Sequence, residues 1–123
     1  MNGAELVERA EAVAANAYAP YSKYHVGASL LTLDGRVFDG VNVENAAYPL
    51  GVCAEKSAIV AAAHAGVRPG DVEAIGITAS PCGGCRQWLH EWRIRRVTFR
   101  RADGTIAEYR ADELLPDTWD LPE

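Results

Sequence analysis

The stretch that decides the fold is VEAIGITASPCGGCRQWLHEW, residues 72–92. Its first part, Val72 to Ala79, is short and apolar and predicts a buried strand. Ser80-Pro81 then breaks the strand, and the segment from Cys82 to Trp92 predicts a helix. A buried strand that leads into a helix is typical of a sheet with helices packed on its faces.

A second helix is predicted upstream, from Gly51 to Ala65, with Gly66 as its C-terminal stop. This helix is apolar almost all round, since residues 58–63 read AIVAAA. Such a helix has to be covered on most sides, either by its own sheet or by another subunit.

Periodicity and turn signals predict the remaining elements. They are a helix from Ala4 to Ala17 ended by Pro20, strands Val26 to Leu33 and Arg36 to Val43 around a turn at Asp34-Gly35, strands Arg95 to Arg100 and Thr105 to Tyr109 around a turn at Gly104, and a helical turn from Ala111 to Leu115. The order α-β-β-α-β-α-β-β predicts a single α/β domain over residues 1–123, with a mixed sheet and helices on its faces.

The charge balance narrows the possible partners. A net charge of −5 argues against a protein that binds long stretches of nucleic acid, because the side chains that bind phosphate groups are mainly those of Lys and Arg. The one basic cluster, between Arg93 and Arg101, alternates with apolar residues and predicts a strand with a solvated edge more than an anionic partner. The start lacks the pattern of a secretory signal, and no apolar run approaches membrane-spanning length. We therefore expect a cytoplasmic protein with no nucleic-acid or membrane partner.

All three cysteines lie in two short segments, Cys53-Ala54-Glu55 and Pro81-Cys82-Gly83-Gly84-Cys85. An odd number of cysteines suits a disulfide framework poorly. Structural zinc sites are normally closed by four protein ligands, whereas catalytic sites keep one position for water. Because each segment opens a predicted helix, the positive helix end favours thiolates there. If the cysteines bind zinc, Gly83 and Gly84 are expected to let the backbone turn tightly between Cys82 and Cys85.

Glu55 lies two residues after Cys53, at the predicted first turn of a helix. From there its carboxylate can reach beyond the helix end and exchange protons with water at the metal. The plainer interpretation is that the cysteines are buried apolar residues and that Glu55 favours the helix N-terminus. The order Cys, Glu, then Pro-Cys-x-x-Cys is the pattern described for zinc deaminases, and it favours the catalytic interpretation.

At these residues the sequence resembles the cytidine deaminase family, specifically its small homotetrameric zinc-dependent branch. The resemblance covers almost the whole chain, through PYSKYHVGA (20–28), NVENAAYPLGVCAE (42–55), SPCGGCRQ (80–87) and ELLP (113–116). It implies a three-layer α/β/α sandwich with a mixed central sheet of about five strands. It also implies hydrolytic deamination of cytidine or deoxycytidine to the uridine product plus ammonia, in pyrimidine salvage.

The resemblance also assigns roles to single residues. One Zn²⁺ per subunit would be held by Cys53, Cys82 and Cys85, and Glu55 would carry the protons. Asn42 and Glu44, two residues apart at one strand, would bind the ribose hydroxyls. Tyr24 would lie against the pyrimidine ring, and the backbone N–H of Ala54 and the carbonyl of Ser80 would face the base.

Two further expectations concern the subunits and the metal. Tyr48 and the C-terminal tail with Trp119 are expected to reach a neighbouring subunit's pocket in a homotetramer with shared active sites. Lys56 stands where the family commonly has Arg, so the charge of the thiolates would be offset less rigidly.

Other functions remain open from the residues alone. One is a related deaminase acting on N4-substituted cytidines, a nucleoside antibiotic or a free base, although Asn42 with Glu44 favours a ribosyl substrate. Another is a non-catalytic zinc-binding module, in which His25, His64 or His90 would supply a fourth ligand.

Overall fold

The computed structural model describes residues 1–122. Its elements follow the predicted order along the chain. They are α1 (Gly3–Val13), β1 (Gly27–Thr32), β2 (Val37–Val41), α2 (Ala54–His64), β3 (Val72–Ile77), α3 (Gly83–Glu91), β4 (Arg96–Arg100), β5 (Ile106–Tyr109) and α4 (Ala111–Leu114), with 3₁₀ turns at Ala14–Asn16 and Tyr48–Leu50. None of the helices formed by residues 1–122 combines the length and the apolar character needed to cross a bilayer.

The strands form one sheet in the order β2-β1-β3-β4-β5. Strands β3 and β4 are parallel, and the other neighbours are antiparallel, which confirms the predicted mixed sheet of five strands. The expectation of a solvated edge for the arginine-rich strand is wrong, because β4 pairs on both sides. Arg100 instead bonds Glu11 of α1 at 2.8 Å, so α1 neutralises part of the cluster.

Helices cover both faces of the sheet, which gives the predicted three layers. Helix α1 packs on one face, where Leu6 is fully buried with Leu31 and Ala74. Helices α2 and α3 pack on the other face, where Ile59 and Leu89 join the main core with Ile75 and its neighbours. Both faces of β1 are therefore buried along its whole length.

Gly40 of β2 sets the position of α2. A Cβ atom at this residue would lie 2.3 Å from the backbone nitrogen of Ala58 and 2.5 Å from the carbonyl oxygen of Ala54. Only glycine leaves room for the helix backbone to approach the strand this closely. Because Ala54 is the first residue of α2, this contact also fixes the helix end that carries Cys53 and Glu55.

The predicted start of α2 at Gly51 is wrong by three residues. The two backbone hydrogen bonds between Val43 and Val52, each 2.9 Å, hold this segment extended, and Cys53 is an extended N-cap. The predicted stop is confirmed, since Gly66 follows the helix with φ of +96°. Gly83 and Gly84 do not form a special turn: they are the first two residues of α3, and a Cβ at Gly83 would meet nothing within 4 Å.

The expectation that α2 is covered on most sides holds only on the side facing the sheet. Ala58, Ile59 and Ala62 are fully buried, whereas Val60 remains 55% exposed on the opposite side. The neighbouring Ala61 is exposed as well. The single chain therefore leaves an apolar face of α2 uncovered.

Candidate active site

The N-terminal ends of α2 and α3 bring the three cysteines together. The Sγ atoms of Cys53, Cys82 and Cys85 all lie within 4.8 Å of one another. Cys53 caps α2 and Cys82 caps α3, while Cys85 is the third residue of α3 and is fully buried. No histidine or carboxylate of residues 1–122 joins this group. The structure thus supplies no fourth protein ligand from His25, His64 or His90.

The environment of the thiols differs from one cysteine to the next. Burial raises the pKa of Cys53 and of Cys85, and the charge of Glu55 adds to both shifts. Burial acts in the same direction on Cys82, but hydrogen bonds from the backbone of Cys85 and from the neighbouring thiols outweigh it and lower the pKa of Cys82. A metal ion deprotonates coordinating thiols outright and removes the repulsion between them. Three convergent sulfur ligands at two helix N-termini therefore fit a zinc ion.

Glu55 lies in the first turn of α2, as predicted, and only 4% of it is exposed. Burial raises the pKa of its carboxyl group, against the opposing effects of its own backbone N–H, the Cys85 thiol and the charge of Lys56. The raised pKa favours the protonated form of this carboxyl group, and a buried group that can both take up and release a proton is what a general acid–base requires.

A cavity of about 320 Å³ opens in front of these groups, within the range of small-molecule sites. Its walls bring together most of the residues that the sequence singled out. They include Tyr24, Asn42, Glu44, Cys53, Ala54, Glu55, Ser80 and Cys82. Tyr24 is 61% exposed and lies at the rim. The first backbone N–H groups of α2 have no partner within the helix, so the N–H of Ala54 can serve a ligand.

Tyr48 does not line this cavity. It is 73% exposed and lines an adjoining cavity of about 400 Å³, together with Tyr21, Ser22 and Glu44. The rings of Tyr21 and Tyr48 meet edge to face with centroids 6.1 Å apart. Ser22 and Glu44 line both cavities, so the two cavities share a wall.

Asn42 and Glu44 lie beyond the end of β2, not on a strand face as predicted, because the ladder stops at Val41. Both residues bind the loop that precedes β1. The Oδ1 atom of Asn42 accepts a 2.8 Å bond from the N–H of Val26, and its Nδ2 atom donates to the carbonyl of Tyr24, also at 2.8 Å. Glu44 accepts the backbone N–H groups of Tyr21 and Ser22 at 3.0 and 3.1 Å. The predicted sugar-binding residues thus also hold one wall of the pocket.

Sequence reasoning missed Arg86, which ties the Ser80-Pro81 loop to the C-terminal part of the chain. Its guanidinium donates to the carbonyl of Pro81 at 2.9 Å, to the hydroxyl of Ser80 at 3.2 Å and to the carbonyl of Leu114 at 3.2 Å. The only sequence signal was its position directly after Cys85. A planar guanidinium suits several acceptors arranged around it, which a lysine at this position would not serve equally.

An α/β/α sandwich that brings three thiols and a buried carboxyl group to one pocket defines a metal-binding enzyme of the hydrolase type. A model of the cytidine and deoxycytidylate deaminase zinc-binding region matches residues 2–101, and the chain belongs to this family. The family predicted from the sequence is thereby confirmed.

Individual relatives agree with this assignment. The cytidine deaminase of Halalkalibacterium halodurans is 41% identical over 119 residues, which cover 90% of this chain and 89% of that protein. The crystal structure of cytidine deaminase from Burkholderia pseudomallei has a TM-score of 0.90 and 42% identity, covering 97% of this chain and 100% of that one. For the crystal structure of cytidine deaminase from Mycobacterium tuberculosis, the TM-score is 0.83 and the identity 35%, with 98% and 99% covered. These likenesses confirm the predicted fold.

Proposed function

We propose that this chain hydrolyses cytidine and 2′-deoxycytidine to uridine and 2′-deoxyuridine, with ammonia as the second product. The observation that carries the proposal is the group of three sulfur atoms within 4.8 Å of one another, beside the buried carboxyl group of Glu55. Cys53, Cys82 and Glu55 line a cavity whose volume lies within the range of small-molecule sites. Relatives that are called cytidine deaminases and match most of the chain support the same activity.

Cys53, Cys82 and Cys85 would hold one zinc ion per subunit. When bound, zinc supplies Lewis-acid chemistry and lowers the pKa of water toward neutrality. The three thiolates bring much negative charge, which the N-termini of α2 and α3 offset in part. Lys56 is proposed to offset more of it, since its Nζ atom lies 3.9 Å from the point where a Cβ of Gly84 would stand, near the start of α3 and between Cys82 and Cys85 in the chain.

Glu55 moves the protons in this proposal. It takes one proton from water as the water oxygen bonds to C4 of the cytosine ring, and it delivers that proton to N3. It then takes the second proton from the same oxygen and passes it to the amino group, which leaves as ammonia when the C4–N bond breaks. One water is consumed for each ammonia released, and Glu55 returns to its starting state.

The remaining pocket residues orient the nucleoside. The N–H of Ala54 and the carbonyl of Ser80 are proposed to bind the base, because fixed backbone groups orient a ligand without losing rotamer entropy. Tyr24 at the rim is proposed to cover the pyrimidine ring. Asn42 and Glu44 are proposed to bind the sugar hydroxyls with the donor and acceptor sites that their hydrogen bonds to the loop leave unused.

We also propose a homotetramer with shared active sites. The uncovered apolar face of α2 around Val60 and the exposed Tyr48 beside the second cavity support contacts between copies. Trp119, 69% exposed, is proposed to reach a neighbouring pocket. The proposed setting is pyrimidine salvage in the cytoplasm, where thiols stay reduced.

The test is incubation of the purified protein with cytidine, with and without a zinc chelator, while ammonia release is followed. We expect release that stops when zinc is stripped and returns when zinc is added back. Cytosine and N4-methylcytidine, run in parallel, separate the proposed activity from a free-base or N4-substituted specificity. Absence of ammonia from cytidine in the zinc-loaded protein would refute the proposal.

A further inference from the structure

Residues 20–24 form a tight loop, mostly exposed, and Ser22 and Tyr24 of this loop line the cavity beside the cysteines. Lys23 adopts a left-handed backbone with φ of +62°. Its N–H donates to the carbonyl of Ala19 at 3.0 Å, and its Nζ atom donates to the carbonyl of Pro20 at 2.7 Å. The loop thus holds a fixed shape through hydrogen bonds, not through apolar burial.

Glu44 binds this loop directly through both oxygen atoms of its carboxylate. Its Oε1 atom accepts both backbone N–H groups of Tyr21 and Ser22, and its Oε2 atom accepts the hydroxyl of Ser22. These bonds, the hydroxyl of Ser22 foremost, keep the pKa of Glu44 below its usual range, so the side chain is ionised. Successive N–H groups that converge on one oxygen are a recognised way to hold an anion.

The hydroxyl of Ser22 has no freedom in this arrangement. Its oxygen accepts the N–H of Tyr24 at 3.0 Å, and its single proton goes to Glu44. A carboxylate has about four acceptor sites, and three of those on Glu44 are occupied by the loop. Of the hydrogen bonds that residues 1–122 form, two end on Oε1 and one, from the Ser22 hydroxyl, ends on Oε2. The remaining acceptor site therefore lies on Oε2.

We propose that Ser22 is a positioning residue for the sugar: it orients the carboxylate of Glu44 so that the remaining acceptor site on Oε2 faces a sugar hydroxyl. The inference rests on the proposed function, in which Glu44 binds the sugar. Ser22 acts through Glu44 and bonds no reacting atom.

The test compares Ser22→Ala with wild type on cytidine and on 2′,3′-dideoxycytidine, which lacks both sugar hydroxyls of the ring. A hydrogen bond to a charged group strengthens binding about ten- to a hundredfold. We therefore expect the kcat/KM of the wild type to be higher for cytidine than for the dideoxy substrate by about that factor. In Ser22→Ala, kcat/KM should fall about tenfold for cytidine, mainly through KM, and less than twofold for the dideoxy substrate. Ser22→Thr keeps the hydroxyl and should restore the preference.

Thr105→Ala is the matched control. Its hydroxyl donates to Asp103 at 2.7 Å in the turn between β4 and β5, which is the same kind of bond outside both cavities, and its loss should leave the preference intact. An equal loss on both substrates in Ser22→Ala, or no loss on either, would overturn the positioning role while leaving the deaminase proposal standing. Equal use of both substrates by wild type would contradict sugar binding by Glu44 and overturn the inference with it.

Binding of uridine and of 2′,3′-dideoxyuridine, followed by isothermal titration, repeats the comparison without turnover. Even if the protein released no ammonia, a preference for uridine that Ser22→Ala abolishes would support the inference. A preference that Ser22→Ala leaves unchanged would overturn it.

Discussion

The sulfur site and the 20–24 loop line the same cavity, but they are held by different forces. Cys85 and Ala54 are fully buried, and the helix ends that carry them pack on the main core. The loop is exposed, and Asn42 and Glu44 hold it through hydrogen bonds to its backbone. The sulfur side of the cavity is therefore anchored in the core, whereas the shape of the loop depends on a few hydrogen bonds.

The largest effect is expected at the sulfur wall. Cys85→Ala removes the buried member of the ligand group, and a ligand set of two thiols holds zinc weakly. We expect zinc content to fall to a small fraction of wild type and turnover to fall at least about a thousandfold. Zinc is measured by mass spectrometry on the dialysed protein. A variant that keeps stoichiometric zinc would show that Cys85 is not a ligand.

Glu55→Gln separates proton transfer from metal binding at the same wall. General acid–base groups contribute about a hundred- to ten-thousandfold, and glutamine cannot carry a proton in this way. We therefore expect kcat to fall by about that factor with zinc content unchanged. Glu91→Gln, an exposed glutamate at the end of α3, serves as control and should retain full turnover. Ordinary activity in Glu55→Gln would refute the role of Glu55.

Gly40→Ala tests whether the sulfur wall depends on the close approach of α2 to β2. A methyl group there would meet backbone atoms of α2 at 2.3 and 2.5 Å, so the helix has to move. Overpacking of this kind costs about 1–3 kcal/mol of unfolding free energy. Chemical denaturation measures the loss, and zinc affinity should weaken with it. Gly51→Ala is the control, since the nearest atom to its Cβ would lie at an ordinary 3.4 Å. Equal stability of the two variants would contradict the role of Gly40.

Asn42→Ala probes the loop wall and should have the smallest effect on stability. It leaves the N–H of Val26 and the carbonyl of Tyr24 without the amide that joined them, at a cost of about 1–2 kcal/mol. We expect KM for cytidine to rise while zinc content stays at the wild-type level. Steady-state kinetics and metal analysis on one preparation check both. Loss of zinc would show that the two walls are coupled.

The two walls also differ in how far the sequence could predict them. Cys53, Glu55, Cys82 and Cys85 were recognised because they lie at the starts of two helices, where local spacing fixes their direction. The turns at Gly35, Gly66 and Gly104 were predicted for the same reason, and each has φ near +90°. Local sequence carries this information, so these features needed no knowledge of the tertiary fold.

Long-range pairing lies behind the misplaced features. The predicted start of α2 lies too early in the chain because the backbone hydrogen bonds between Val43 and Val52 join residues from different predicted elements. The interior place of β4 depends on the strand order, which periodicity does not encode. The hydrogen bond from Ser22 to Glu44 joins residues that are 22 positions apart, and the sequence of neither segment predicts it.

Cys53, Ala54 and Glu55 are consecutive residues at one helix end, and they are proposed to serve the metal, the base and the proton in turn. A shift of α2 along its axis would displace all three at once. An engineer who wants a new sugar or base specificity should therefore leave that helix untouched and diversify residues 20–24. Directed evolution that targets the loop can change what enters the pocket without retuning the chemistry.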